Sequence, residues 1–239
     1  MIVMRAIVMR RAWLLTVFTA ISFPVYSQFL PDLQAKTAEE YDAYLDVLDG
    51  PVLEKGAAFE HSYPSSTLLL PVCELMAREW RSRGDAARAI AAVEHGLGVA
   101  PDYVPLLVEL ADLLANGSTE LDAAAASARR ALALLETMKA PRRAGAEEWT
   151  AAVSSLKARA RGALGSVLFK RDDLAGAVRE FEAALAEPVV HDPSLHYRLG
   201  RLYAVSGRTA EARSQLEEAA RRGDKILRER ANAALLELR

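Results

Sequence analysis

Small residues return at a fixed interval along most of this chain. The stretch LHYRLGRLYAVSGRTAEARSQLEEAA, Leu195 to Ala220, reads as helix but is punctuated by Gly200, Gly207, Ala212 and Ala219. A glycine inside a helix costs about 1 kcal/mol relative to alanine, so a glycine at position 200 implies that another helix comes close there. The same spacing recurs upstream. One small residue falls at Ala77, Ala111, Gly165 and Gly200, in steps of 34, 54 and 35; a second falls at Gly96, Ala131, Ala184 and Ala219, in steps of 35, 53 and 35. Two markers thus give one period and the same single interruption. A period near 34 means a stack of like units, none of which can bury its apolar face alone.

Within each unit, large apolar residues stand at helical spacing around the markers. Leu199, Gly200 and Tyr203 precede Gly207, and Ala212, Leu216 and Ala219 follow it; Leu164, Gly165 and Leu168 precede Ala177, Phe181 and Ala184. Further back, Met76, Ala77 and Trp80 precede Gly84, and Ala89, Val93 and Gly96 lead to Pro101. This pattern resembles the tetratricopeptide repeat, a helix–turn–helix unit, over about residues 70 to 222. The resemblance implies an all-α fold: an α-solenoid of helix hairpins in a right-handed superhelix. The repeat-packing positions would be Ala77, Ala111, Gly165 and Gly200 in the first helices and Ala89, Ala177 and Ala212 in the second, with backbones nearest at Gly200 and Ala219. The unit over 104–135 departs from the pattern, since ANGSTELD replaces its tight turn and Glu136 stands where a proline would close it. No run of alternating β-branched residues lies between turn signals, so no strand is expected.

The rest of the chain divides around this array. Residues 1–27 have the layout of a secretory signal peptide: Arg5, Arg10 and Arg11, then an uncharged apolar run from Ala12 to Tyr26, with Val25 and Ser27 before the cut. Cleavage after Ser27 would send the chain to the periplasm; left uncut, the segment would be an N-terminal membrane anchor. Residues 28–37 read as a linker and 38–64 as a divergent helix hairpin, ending in AFEHSYPSS. That ending resembles the F-xxx-YP-x-S junction of tetratricopeptide-like proteins of the bacterial cell envelope. Repeats follow over 65–222, with an insertion near 136–155 containing Pro141 and Gly145. Gly223-Asp224 reads as helix stop and new N-cap, and residues 223–239 as a capping helix, since arrays need a terminal unit with a polar outer face.

Composition excludes several functions. Three of the 30 basic residues and none of the 32 acids lie in 1–27, so residues 28–239 carry a net charge of −5. A nucleic-acid binder would show a basic excess. Cys73 is the single cysteine, which forbids an internal disulfide. The four histidines show no metal-ligand spacing, no phosphate-binding glycine loop follows a strand, and no acid–base pair is singled out. No metal, no cofactor and no catalysis are expected.

The resemblance assigns the inner surface to the first helix of each unit. Its positions include Glu74, Val108, Asp112 and Ser166, and the candidate peptide-binding groove there is Arg78, Arg81, Arg159, Phe169, Lys170, Tyr197 and Arg201. Five of those seven are basic in a net acidic chain, which suits an acidic protein or peptide with an apolar anchor. The asparagines that carboxylate-clamp members use on this face have no counterpart. The expected function is a non-catalytic protein- or peptide-binding scaffold of the cell envelope; the alternative is a structural or assembly subunit that uses its convex face or its ends. Membrane contact is expected only through an uncleaved N-terminal segment. Mass spectrometry of the exported protein should find Gln28 as the first residue; intact 1–27 on a membrane-bound form would establish the anchor instead.

Overall fold

The computed structural model describes residues 34–117, 120–141, 145–189 and 192–238. Residues 1–27, with the expected signal peptide, most of 28–37 and His191 lie outside the described residues. Those described form eleven helices and no strand: α1 (Ala38–Asp49), α2 (Val52–Ser62), α3 (Leu69–Ser82), α4 (Ala86–Val99), α5 (Val104–Gly117), α6 (Leu121–Thr137), α7 (Ala146–Lys170), α8 (Leu174–Leu185), α9 (Pro193–Val205), α10 (Thr209–Arg222) and α11 (Lys225–Glu237). Each helix packs on its neighbours in sequence, with α3–α4, α5–α6, α7–α8 and α9–α10 as hairpins, and α5 also lies against α7. None of the described helices is long and apolar enough to cross a membrane.

The helix starts follow from capping. Asp85, Asp173 and Asp224 each accept a hydrogen bond from the backbone N–H three residues on, at 2.8–3.0 Å, and Asp192 accepts one from Ser194 at 2.8 Å. Each such cap contributes about 1 kcal/mol. The turns inside the hairpins are equally repetitive. In three of them the residue after the helix cap has positive φ: Gly84 (+76°), Asp172 (+61°) and Gly207 (+73°). The next N–H then reaches back to the carbonyl of Trp80, Leu168 or Tyr203 at 2.9–3.0 Å. This is the Schellman closure, which satisfies carbonyls that the last helical turn leaves open. Asp172 fills a place where glycine would be the easier residue.

The hairpins close on the small residues. Ala77, Ala89, Ala111, Ala177 and Ala212 are fully buried, as are the backbones at Gly165 and Gly200. A Cβ added at Gly200 would stand 2.8 Å from Cγ of Leu216 and 3.1 Å from its backbone nitrogen, in the facing helix α10. At Gly165 it would stand 3.2 Å from the Phe181 ring. Nothing larger than hydrogen fits at Gly200 without moving α9 away from α10.

The insertion resolves into a lengthened helix. Residues 138–145 join α6 to α7, and α7 runs for 25 residues, two turns or more beyond its hairpin partner. Its added turns set Leu156 and Ala152 into the apolar core built by α1 to α6, with Trp149 and Val153 partly buried against it. At the N-terminal end, Phe59 lies 5.1 Å from the Tyr63 ring, and the Ser66 hydroxyl donates to the buried Glu40 carboxylate while accepting from Leu68 N–H. The F-xxx-YP-x-S segment therefore fastens α1 and α2 to the start of α3. At the other end, α11 buries Ala231 and Ala234. Its outer face is less polar than a terminal cap calls for, since Ile226 is 61% and Leu236 86% exposed.

Gly200→Leu should destabilise the protein by about 1–3 kcal/mol through overpacking against Leu216. At Gly98 of α4 an added Cβ meets nothing within 4 Å, so Gly98→Ala should be neutral or stabilising by up to about 1 kcal/mol. Urea unfolding of the two variants checks both; a neutral Gly200→Leu would mean that α9 and α10 do not cross there.

Candidate functional site

The first helices of the four hairpins, α3, α5, α7 and α9, share one face, and its middle is an ion-pair network. Arg159 of α7 donates to Glu109 Oε2 at 2.6 Å and to Asp112 Oδ2 at 2.8 and 3.1 Å, both on α5. Arg81 of α3 reaches the second oxygen of Glu109 at 2.8 Å. Glu109 is buried, which an unpaired carboxylate would not tolerate. Burial works to lower the Arg159 pKa, but Asp112 and Glu109 outweigh it and hold the guanidinium charged. Burial also raises Asp112, against the opposing charge of Arg159.

Glu74 of α3 borders this network. It accepts a hydrogen bond from the Tyr103 hydroxyl at 2.5 Å. Burial pushes its carboxyl up to about 7, opposed by Tyr103 and by the charges of Arg78 and Arg159, and reinforced by Glu109.

Toward the C-terminal end the face changes character. Lys170, the last residue of α7, donates to the Ala115 carbonyl and, at 3.2 Å, to that of Asn116, so it closes the C-terminal end of α5. Arg198 donates to the Ser166 hydroxyl at 3.2 Å, and Arg201 to Glu237 of α11 at 3.2 Å. Between α7 and α9 opens a cavity of about 400 Å³, with Phe169, Lys170, Tyr197 and Arg201 in its wall alongside Arg198 and Val205. Phe169 is 44% exposed.

The seven groove candidates therefore separate. Phe169, Lys170, Tyr197 and Arg201 meet at this cavity. Arg81 and Arg159 line a second, polar cleft of about 270 Å³ with Asp112 and Arg198. Arg78 is exposed on α3 and lines neither. Two participants escaped the sequence reading. Glu109 is the only acid besides Asp112 in the apolar helix VPLLVELADLLANG, a signal of a buried charge with a partner. Arg198 stands three residues before Arg201 on the same helix, a spacing that places them side by side. Among the described residues, no group of three or more His, Cys, Asp and Glu is placed to hold a metal ion. Cys73 is buried, and that burial pushes its thiol up to about 12, which leaves it a packing residue.

No family model matches the chain, and no curated protein does. Solved structures do match. The structure of PilW, a widely conserved type IV pilus biogenesis factor, superposes with a TM-score of 0.57 at 14% identity, over 78% of each chain. The fold is that of the tetratricopeptide repeat. Two further structures share it: PilF of Pseudomonas aeruginosa, with a TM-score of 0.56 at 17% identity over 78% of each chain, and a MamA RS-1 double mutant, with 0.55 at 14% identity over 79% of this chain and 94% of that one. At such identities the likeness is one of tetratricopeptide fold, and the side chains on the inner face are this chain's own.

The raised Glu74 pKa makes a stability prediction. Between the ordinary value of 4.5 and the folded value of about 7, the folded state holds a proton that the unfolded state has lost. Its contribution therefore falls as pH rises through that window and is level above it. The stability of wild type relative to Glu74→Gln should drop by roughly 1–3 kcal/mol between pH of about 4.5 and about 7.5. Urea midpoints that run parallel across this range would show Glu74 to be ordinary.

Proposed function

We propose that this tetratricopeptide-fold protein is an exported, non-catalytic scaffold that holds a protein or peptide of the cell envelope on its inner face. The observation that carries the reading is the meeting of Phe169, Lys170, Tyr197 and Arg201, from two successive first helices, around one open cavity. Aromatic groups beside guanidinium donors are the common chemistry of protein recognition. The N-terminal layout of 1–27 supports export. PilW, of the same fold, is a pilus biogenesis factor, and an assembly role in the envelope would be of a similar kind.

A second reading has its own observation. Ile226 and Leu236 are exposed on α11, the last helix, so the end of the array can serve as a contact surface in a larger assembly. The two readings separate on a partner captured from envelope extract. Tyr197→Glu with Arg201→Glu should weaken that partner at least about tenfold, which is about 1.4 kcal/mol, while Leu236→Glu leaves it unchanged. The reverse pattern would establish the assembly subunit. Part of the arginine effect should shrink at high salt, as long-range attraction is screened.

A further inference from the structure

The inner face is not one uniform basic groove. Around Arg159 each cation already has an anion: Arg81 and Arg159 share Glu109 at 2.8 and 2.6 Å, and Arg159 also holds Asp112. A carboxylate arriving from a partner would have to displace one that is in place, exchanging one ion pair for another with no gain. Charge there fixes α3, α5 and α7 relative to one another.

At the cavity between α7 and α9 the balance differs. Three cations, Lys170, Arg198 and Arg201, lie in its wall, and no carboxylate does. Arg198 donates to the neutral hydroxyl of Ser166, and the carboxylate nearest it, Asp112, is already bonded twice by Arg159. Arg201 meets Glu237 at 3.2 Å, but their side chains are 46% and 67% exposed, so water screens that pair. Arg198 and Arg201 are three residues apart on α9, which brings their stems within about 5–6 Å. Beside them Val205 is 61% and Phe169 44% exposed, and Tyr197 completes the apolar part of the wall. Large apolar groups left in water beside guanidinium groups whose carboxylates are shared with another arginine or exposed are what a binding pocket presents when empty of its partner segment.

We infer that this cavity is the reading end of the groove, and that it takes an internal protein segment in which one large apolar side chain stands next to Asp or Glu side chains. The apolar group enters between Phe169, Tyr197 and Val205, and the carboxylates meet Arg198 and Arg201. Two guanidinium groups one helical turn apart match carboxylates on neighbouring side chains, each able to take paired N–H···O bonds. The inference rests on the peptide-binding reading above and narrows it to one site and one chemistry.

The test uses short fluorescent peptides, acetylated and amidated so that no chain terminus is charged, with one phenylalanine flanked by Asp and Glu in a Ser/Gly background. By anisotropy the purified protein should bind this peptide, and replacing Phe by Ser, or the acids by Asn and Gln, should each weaken binding at least about tenfold. Arg198→Ala with Arg201→Ala, or Val205→Glu, should do the same, with circular dichroism and the urea midpoint checking that each variant stays folded. Arg81→Ala should leave affinity within about twofold. With benzophenone in place of the phenyl ring, the photo-adduct should fall within 169–170 or 197–205. An adduct on α3 or the middle of α5 would overturn the site while keeping peptide binding. One confined to α4, α6 or α10 would overturn both. Binding only by the uncapped peptide would replace side-chain carboxylates with a chain terminus, and no binding at millimolar peptide would overturn the inference outright.

Discussion

The close crossing of α9 and α10 at Gly200 sets the terms for the rest of the array. Leu216 lies where the Cβ of any other residue at position 200 would be. Gly165 against Phe181 and fully buried Ala77 and Ala111 repeat the arrangement in the preceding hairpins. Small residues at the crossings let large ones beside them, such as Leu199, Leu202 and Tyr203, reach full burial. With the helices so near, the rigid Schellman turns at Gly84, Asp172 and Gly207 fix the angle at which each hairpin closes. The first helices then fall side by side, and residues some fifty positions apart in sequence, Glu109 and Arg159, come within 2.6 Å.

That juxtaposition makes the inner face electrostatically uneven. At its centre, burial and charge are coupled: Glu109 is buried because Arg81 and Arg159 neutralise it. Removing one partner would leave a buried charge without compensation, so the network specifies how α3, α5 and α7 sit even if its net stabilisation is modest. Near the C-terminal end burial is incomplete: Arg201 and Glu237 meet with side chains 46% and 67% exposed. The neighbouring apolar side chains of Phe169 and Val205 are themselves 44% and 61% exposed there.

The elements differ in how far sequence could reach them. The hairpins follow from short-range rules: a cap at Asp85, Asp173 or Asp224, an apolar stripe, and a turn residue. The departures followed as well, since ANGSTELD breaks the turn pattern in the unit that holds α5 and α6. The outer face of α11 did not, because the apolar stripe Leu227, Ala231, Ala234 and Leu238 draws attention to the buried side, while Ile226 and Leu236 are exposed on the other. Of the groove residues, type and helix face were readable at Arg159 and Lys170, but their partners were not. Arg159 faces two carboxylates of another repeat, and Lys170 closes the end of α5, neither of which is a neighbour in sequence.

By itself, then, the sequence determined the period, the helical content and the small residues buried inside the hairpins. All of these depend on residues within one unit, where spacing along the helix decides which groups share a face. Tertiary structure alone decided which carboxylate each cation meets and how deeply the pair is buried. The interruption between Ala111 and Gly165 shifts the register from one unit to the next, and the long α7 brings Arg159 level with Glu109 and Asp112 while leaving Arg198 and Arg201 beside an open cavity. Charge pairing depends on distances of a few ångströms between units, and those distances are fixed only when the helices have packed.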